Sequence, residues 1–417
     1  MAMIDRLRPA RRGSGFSMDG WFVWCGSVLH ENGRFYLFAS RWPEETGFPS
    51  GYMTHSEIVL AETDSLDRPF CYVKTLLPGR GDRHWDGAMT HNPFIMKING
   101  EYVLFYIGTS DGSAKNRAIG YARAKTIDGE WTRSEQPLDL PPDANNPALI
   151  VRDDGSVLLY FRDGALRVSV AGAARFDGPY TVLAENIFPR GRVEDMFVYR
   201  TLDGYEMIAE DDGGAYTGLK KGGVLFRSPD GIHWDDQHPE PAYGFDVTYE
   251  DGASITLQRR ERPMLLTDNG QTYLFTTAKT GGADRLTGGR TWNMVQPLAH
   301  EYSASPPRRA RLYAEMRLKA AAEVRLVVKA QREGRLLDAA QPALEQLAAL
   351  FQAQAAMIRG GRLAGQRAET ARKRAQAHVT QRRQLLGVGG RLQMRLHMAY
   401  RRIKLRALPG RLTAEIL

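Results

Sequence analysis

The chain has 417 residues, 43% of them hydrophobic and 25% charged, enough apolar material for one large packed domain and too much for a disordered chain. Its two cysteines exclude a disulfide framework, and no run of about 18 apolar residues exists to span a membrane as a helix. The net charge of +8 averages two unlike parts: residues 301–417 hold 24 Lys and Arg against 8 Asp and Glu, which leaves an acidic balance of −8 before them.

The basic N-terminal stretch MAMIDRLRPARRGSGF has no apolar core behind it, so no secretory signal is visible. Together with the scarce cysteines, which read as small buried hydrophobes, this gives a cytoplasmic expectation. From there to about residue 300 one phrase recurs five times. A short apolar strand meets a tight turn, Asn32-Gly33, Asn99-Gly100, Asp154-Gly155, Asp203-Gly204 or Asn269-Gly270, and a second apolar strand follows, such as FYLFAS, YVLFYIG or TYLFTT. Such dipeptides favour the positive φ angles of two-residue hairpins.

A second turn falls late in four of the five units: Asp67-Arg-Pro-Phe70, Asp128-Gly-Glu-Trp131, Asp177-Gly-Pro-Tyr180 and Asp230-Gly-Ile-His-Trp234. A third strand lies between the two turns, so each unit offers about four strands, the content of one propeller blade. The fifth unit ends in Arg290–Leu298, a candidate closing strand. A β-sandwich would supply as many strands but no reason for five units to share one order of turns. The expected fold is therefore an all-β five-bladed propeller over residues 1–298, with a basic α-helical extension over 299–417. In that extension Leu344, Leu347, Phe351, Ala355 and Ile358 recur at helical spacing, and Gly360-Gly361 and Gly387–Gly390 interrupt it.

In a propeller the starts of the innermost strands line the central cavity. Here they read Trp24-Cys-Gly-Ser-Val28, Thr90-His-Asn-Pro-Phe94, Asn145-Asn-Pro-Ala148, Val193-Glu-Asp-Met-Phe197 and Arg260-Glu-Arg-Pro-Met264. Polar side chains from several blades facing one pocket form a site signature. No His, Cys or Asp spacing matches a zinc or calcium pattern, so neither metal nor cofactor is expected.

These blade starts resemble those of the five-bladed propeller glycoside hydrolases of the family 43 and family 32 clan, over about residues 15–298. The resemblance implies hydrolysis of a glycosidic bond in an oligo- or polysaccharide by paired carboxyls, with inversion expected. It makes Glu194 the general acid and Asp19 the base, with Asp86 the alternative base. Where that family places an Asp before Pro in the third blade, this chain has Asn146-Pro147, and the first-blade equivalent of its catalytic Asp is Gly26. Asp195, Glu261, His91, Asn92 and Asn146 then bind or orient sugar hydroxyls; Arg41 and Arg162 bind hydroxyls or the carboxylate of an acidic sugar, or pair with Glu and Asp; and Trp24, Trp42 and Trp85 stack on sugar rings or belong to the core. Two other readings share these residues: a carbohydrate-binding propeller without catalysis, and a scaffold whose tail, residues 301–417, self-associates or docks on an anionic partner.

Overall fold

The computed structural model describes residues 2–81 and 83–299, and the expected helical extension lies outside the described residues. The described part is a five-bladed β-propeller. Its four-stranded antiparallel blades comprise Trp21–Glu31 to Cys71–Leu77, Met89–Ile98 to Thr132–Arg133, Asn145–Val151 to Thr181–Ala184, and Val193–Thr201 to Asp235–Pro241. The fifth has three strands, Arg259–Asp268, Gln271–Thr280 and Arg290–Leu298. No helix among the described residues is long and apolar enough to cross a membrane.

The first strand of every blade is innermost, and these five strands pack on one another. Blades cover each other on both faces, so strands near the axis are buried without alternation: Val157–Arg162 is buried at all six positions. The outermost strands behave differently. Tyr72 and Val73 of Cys71–Leu77 are exposed, and Cys71 there is exposed while Cys25 is buried, so only one of the two cysteines is a core residue.

Three of the five expected hairpins have two-residue turns with both φ angles positive, at Asn32-Gly33, Asn99-Gly100 and Asn269-Gly270. The two Asp-Gly positions depart from this. Asp154 instead accepts the Ser156 amide and hydroxyl within a five-residue loop, and the turn before Gly204 is centred on Leu202-Asp203. An Asp side chain offers local acceptors that stabilise a wider turn such as that at Asp154. Asp230 does the same in the late turn of the fourth blade, accepting the Ile232 and His233 amides.

Arg290–Leu298 is the third strand of the fifth blade, and the segment that flanks it comes from the other end of the described chain. Leu7 bridges Leu298, Phe16 bridges Asn293, and the Phe16 and Asn293 backbones exchange hydrogen bonds of 2.9 and 2.8 Å. Gly15 meanwhile bridges Pro69 in the first blade. Residues 7–16 thus tie the last blade to the first. Phe16 is buried among Val23, Phe70, Phe275 and Val295, where the two blades meet. Phe16→Ala is expected to lower stability by about 3–5 kcal/mol, read as a reduced urea midpoint; an unchanged midpoint would show that this closure does not hold the ring.

Candidate active site on the propeller axis

Each innermost strand carries the same local defect. Its register against the second strand breaks just after its first residues, between Trp24 and Ser27, His91 and Phe94, Glu194 and Phe197, and Glu261 and Met264, with the matching break opposite Asn145 in the third blade. At each break one non-glycine residue takes a left-handed backbone: Cys25 at φ 53°, Asn92 at 53°, Asn146 at 53°, Asp195 at 58° and Arg262 at 56°. A bulge turns the side chain out of the pleat, here toward the axis. It also explains Pro93, Pro147 and Pro263 inside inner strands, since Pro is tolerated where the ladder is already interrupted.

The five left-handed residues bond to one another around the axis. Cys25 Sγ donates to Asn92 Oδ1 (2.8 Å), Asn92 Nδ2 to Asn146 Oδ1 (2.7 Å), and Asn146 Nδ2 to Asp195 Oδ1 (2.8 Å). From the other side Arg262 donates Nη1 and its backbone amide to Asp195, at 2.9 and 3.2 Å. Asp195 Oδ1 accepts from both Asn146 and Arg262, so it orients both amides in turn and makes the Cys25 thiol a donor. Burial pushes the thiol pKa well up, which keeps that proton in place. The bulge register also sets Cys25, rather than Gly26, in line with Asn92 and Asn146. Gly26 has a packing reason instead: its amide donates to Asn293 Oδ1, and a Cβ there would come within 2.4 Å of that oxygen.

Above this ring lies a cavity lined from all five blades. The first blade gives an aromatic wall of Trp24, Trp42, Phe48 and Tyr52, with Trp42 stacked on Phe48 at 5.8 Å. Tyr52 belongs to a short helical turn, Tyr52–His55, in the loop before the third strand. His91 stands beside it, its ring centroid 4.7 Å from that of Tyr52, and its Nδ1 pairs with Ser56 Oγ at 2.8 Å. Burial, with Arg262 and Arg117 nearby, holds its pKa well below the usual value, so it is neutral.

Glu194, Asp195 and Glu261 supply the carboxyls of the cavity. Glu194 is partly open to the cavity, and Arg162 Nη1 and Lys221 Nζ (3.5 Å) hold its two oxygens from behind. Burial opposes ionisation there, yet Arg162 and Lys221 prevail and keep its pKa below the ordinary range. Asp195 goes the other way: burial outweighs Arg262, and Glu194 and Glu261 add to it, so its pKa is pushed up to about 6. Glu261 is held bidentately by Arg259, at 2.6 and 2.7 Å, and that guanidinium lies over Trp24.

Two carboxylate groups, Glu194 with Glu210 and Asp212, and Asp195 with Glu210 and Glu261, bring oxygens within 4.8 Å of one another. The first group already holds a cation of the chain itself, the Lys221 ammonium, at 2.6 Å from Glu210 and 2.5 Å from Asp212. Glu210 is fully buried, and burial with Glu261 and Asp195 beside it raises its pKa well above the usual carboxyl value.

Of the residues expected at the site, Trp24, Trp42, His91, Asn92, Asn146, Glu194, Asp195 and Glu261 line the cavity. Arg162 stands behind it, pairing with Glu194 and Asp212. Asp19 and Asp86 do not line it. Asp19 is exposed in the turn before Trp21, and Asp86 is buried in the connection to the second blade, spent on Arg80, Arg133 and the Tyr106 hydroxyl. Trp85 stacks on Tyr106 there, and Arg41 is spent on Glu57 between the Trp21 and Tyr72 rings. Cys25, Phe48, Tyr52, Arg117, Arg259 and Arg262 are site residues not anticipated from the sequence. Only Arg262 had a signal, because Arg262-Pro263 repeats the Asn92-Pro93 and Asn146-Pro147 spacing.

No family model matches the chain, and no curated protein matches it. Solved structures do. The chain is similar to a glycoside hydrolase at 14% identity and a TM-score of 0.55, over 72% of this chain and 96% of that one. It is likewise similar to a family 117 glycoside hydrolase produced by the marine bacterium Zobellia galactanivorans (14% identity, TM-score 0.52, 72% and 92% covered). A thermostable family-43 glycoside hydrolase aligns at 13% identity and a TM-score of 0.50, covering 71% and 96%. At such identities the likeness is one of fold.

The ring makes Asn146 a test of the whole level. Asn146→Leu strands the Asn92 amide nitrogen and takes one donor from Asp195, and is expected to destabilise the protein by about 1–3 kcal/mol, the cost of leaving a buried polar group unpaired. Equal denaturation midpoints for variant and wild type would show the ring to be dispensable.

Proposed function

We propose that this propeller is a glycoside hydrolase acting in the axial cavity. The observation that carries this reading is a pair of neighbouring carboxyls driven to opposite protonation, Glu194 down and Asp195 up to about 6, beside an aromatic wall suited to a sugar face. In place of the acid role expected from the sequence, Glu194 works as the carboxylate. Its oxygen attacks the anomeric carbon, the glycosidic bond breaks, and the leaving oxygen takes the Asp195 proton. A water molecule then gives a proton back to Asp195 and displaces Glu194, which releases the sugar.

The same Asn146 Nδ2 bonds Glu194 Oε1 at 3.3 Å and Asp195 Oδ1 at 2.8 Å. A shared nitrogen keeps those oxygens closer than the roughly 6.5 Å minimum of an inverting pair, which supports retention over the inversion expected from the sequence.

One observation favours a second reading, a sugar-binding propeller without turnover: Glu194, Asp195 and Glu261 each carry a cationic partner, so no cavity carboxylate is left bare. Release of aryl groups from a panel of chromogenic glycosides separates the two. Wild type is expected to turn over, and Glu194→Gln to lose about 10²–10⁴-fold. Sugar binding with no cleavage by wild type, or a variant as active as wild type, would sink the hydrolase.

The proton on Asp195 also sets a pH dependence. Because that proton is lost as pH rises through about 6, kcat/KM should fall above that value. Asp195→Asn should remove this limb while lowering activity; a limb that survives the substitution belongs to another group.

A further inference from the structure

Arg117 stands apart from the other cavity cations. Arg262 is committed to Asp195 and Arg259 to both oxygens of Glu261, while Arg162 and Lys221 serve Glu194 from behind. Arg117 enters from the second blade, just after the short turn Ala114–Asn116, and no cavity carboxylate pairs with it. Its acid is Asp143, outside the cavity lining, which takes Nε at 2.9 Å, and the Ala114 carbonyl shares that nitrogen at 3.1 Å. Both partners therefore grip the guanidinium on its inner edge. The Tyr52 hydroxyl bonds the same guanidinium, and both residues line the cavity.

A guanidinium anchored by Nε and open at its terminal nitrogens is shaped for a planar anion. The cavity carboxylates do not oppose one, since Glu194, Asp195 and Glu261 each pair with their own cation. Burial of Arg117 strengthens any such contact, because side-chain exposure is only 16% there and 18% at Asp143. The neighbouring Tyr52 hydroxyl adds a neutral donor beside the fork.

We propose that the sugar taken by this cavity is a uronic acid, its carboxylate held by the terminal nitrogens of Arg117 and the hydroxyl of Tyr52. This names the substrate class of the proposed hydrolase, but the carboxylate site stands on its own as a binding site. Titration calorimetry on the full chain tests it without turnover, using glucuronate, galacturonate, mannuronate and iduronate, each against its neutral parent sugar.

At least one uronate should bind about tenfold or more tighter than its parent, the equivalent of one charged hydrogen bond. Arg117→Gln should erase that preference, and Arg117→Lys should restore only part of it, because an ammonium lacks the fork. Should Arg117→Gln unfold, Tyr52→Phe is the second variant, with a severalfold loss of the same preference. Neutral sugars bound as tightly as every uronate, or a preference untouched by these variants, would overturn the inference. Uronate binding without hydrolysis of any uronide would retain the site and remove the hydrolase, whereas cleavage of neutral glycosides alone would do the reverse.

Discussion

The cavity depends on five residues held in a backbone conformation that they do not favour. Left-handed φ angles at non-glycine residues cost roughly 1–3 kcal/mol each, and Cys25 and Arg262 lack the local hydrogen bonding that eases Asn and Asp into them. They persist because the bulges aim all five side chains at one level, where each bonds to a neighbour in an adjacent blade, from Cys25 through Asn92, Asn146 and Asp195 to Arg262. The ring in turn fixes where the preceding residues stand, and Trp24, His91, Glu194 and Glu261 are those residues. The geometry of the site is thus a property of the closed ring of blades.

Charge is organised around the same level. Burying Glu194, Asp195, Glu210 and Glu261 close together would be prohibitive if all were ionised and unpaired. The structure resolves this in two ways: Glu194, Asp195 and Glu261 each receive a cation, and burial raises the pKa of Asp195 to about 6 and that of Glu210 well above the usual carboxyl value. Lys221 is central to this balance, since one ammonium touches Glu194, Glu210 and Asp212. Unlike pKa shifts among like groups follow from burial set against the cations each carboxyl meets.

Much of the architecture is legible in the chain. The Asn-Gly dipeptides at 32, 99 and 269 form the hairpins that their positive φ preference predicts, and the late Asp turn at 230 is stabilised by its own carboxylate. The blade starts point to the correct ends of the correct strands. Within them the register is not legible, because a bulge inserts one residue and shifts which side chain faces the axis. That is why Gly26 looks like a site position while Cys25 occupies it. Asp19 and Asp86 show the companion difficulty: an acid beside a candidate site has the right chemistry in sequence, and only its partners reveal that Asp86 is spent on Arg80 and Arg133.

By itself the sequence determines the number of blades, their order and the strand ends that carry polar residues, because turns and strand periodicity are local. Tertiary structure alone decides that residues 7–16 close the ring, that Tyr52 and Arg117 join the cavity from loops, and that the Glu194 pKa is lowered while that of its neighbour Asp195 is raised to about 6. Those outcomes rest on burial and on charges brought together from distant positions, Arg162 and Lys221 against Glu194 or Arg262 against Asp195. Proximity of that kind exists only once the blades have met around their axis.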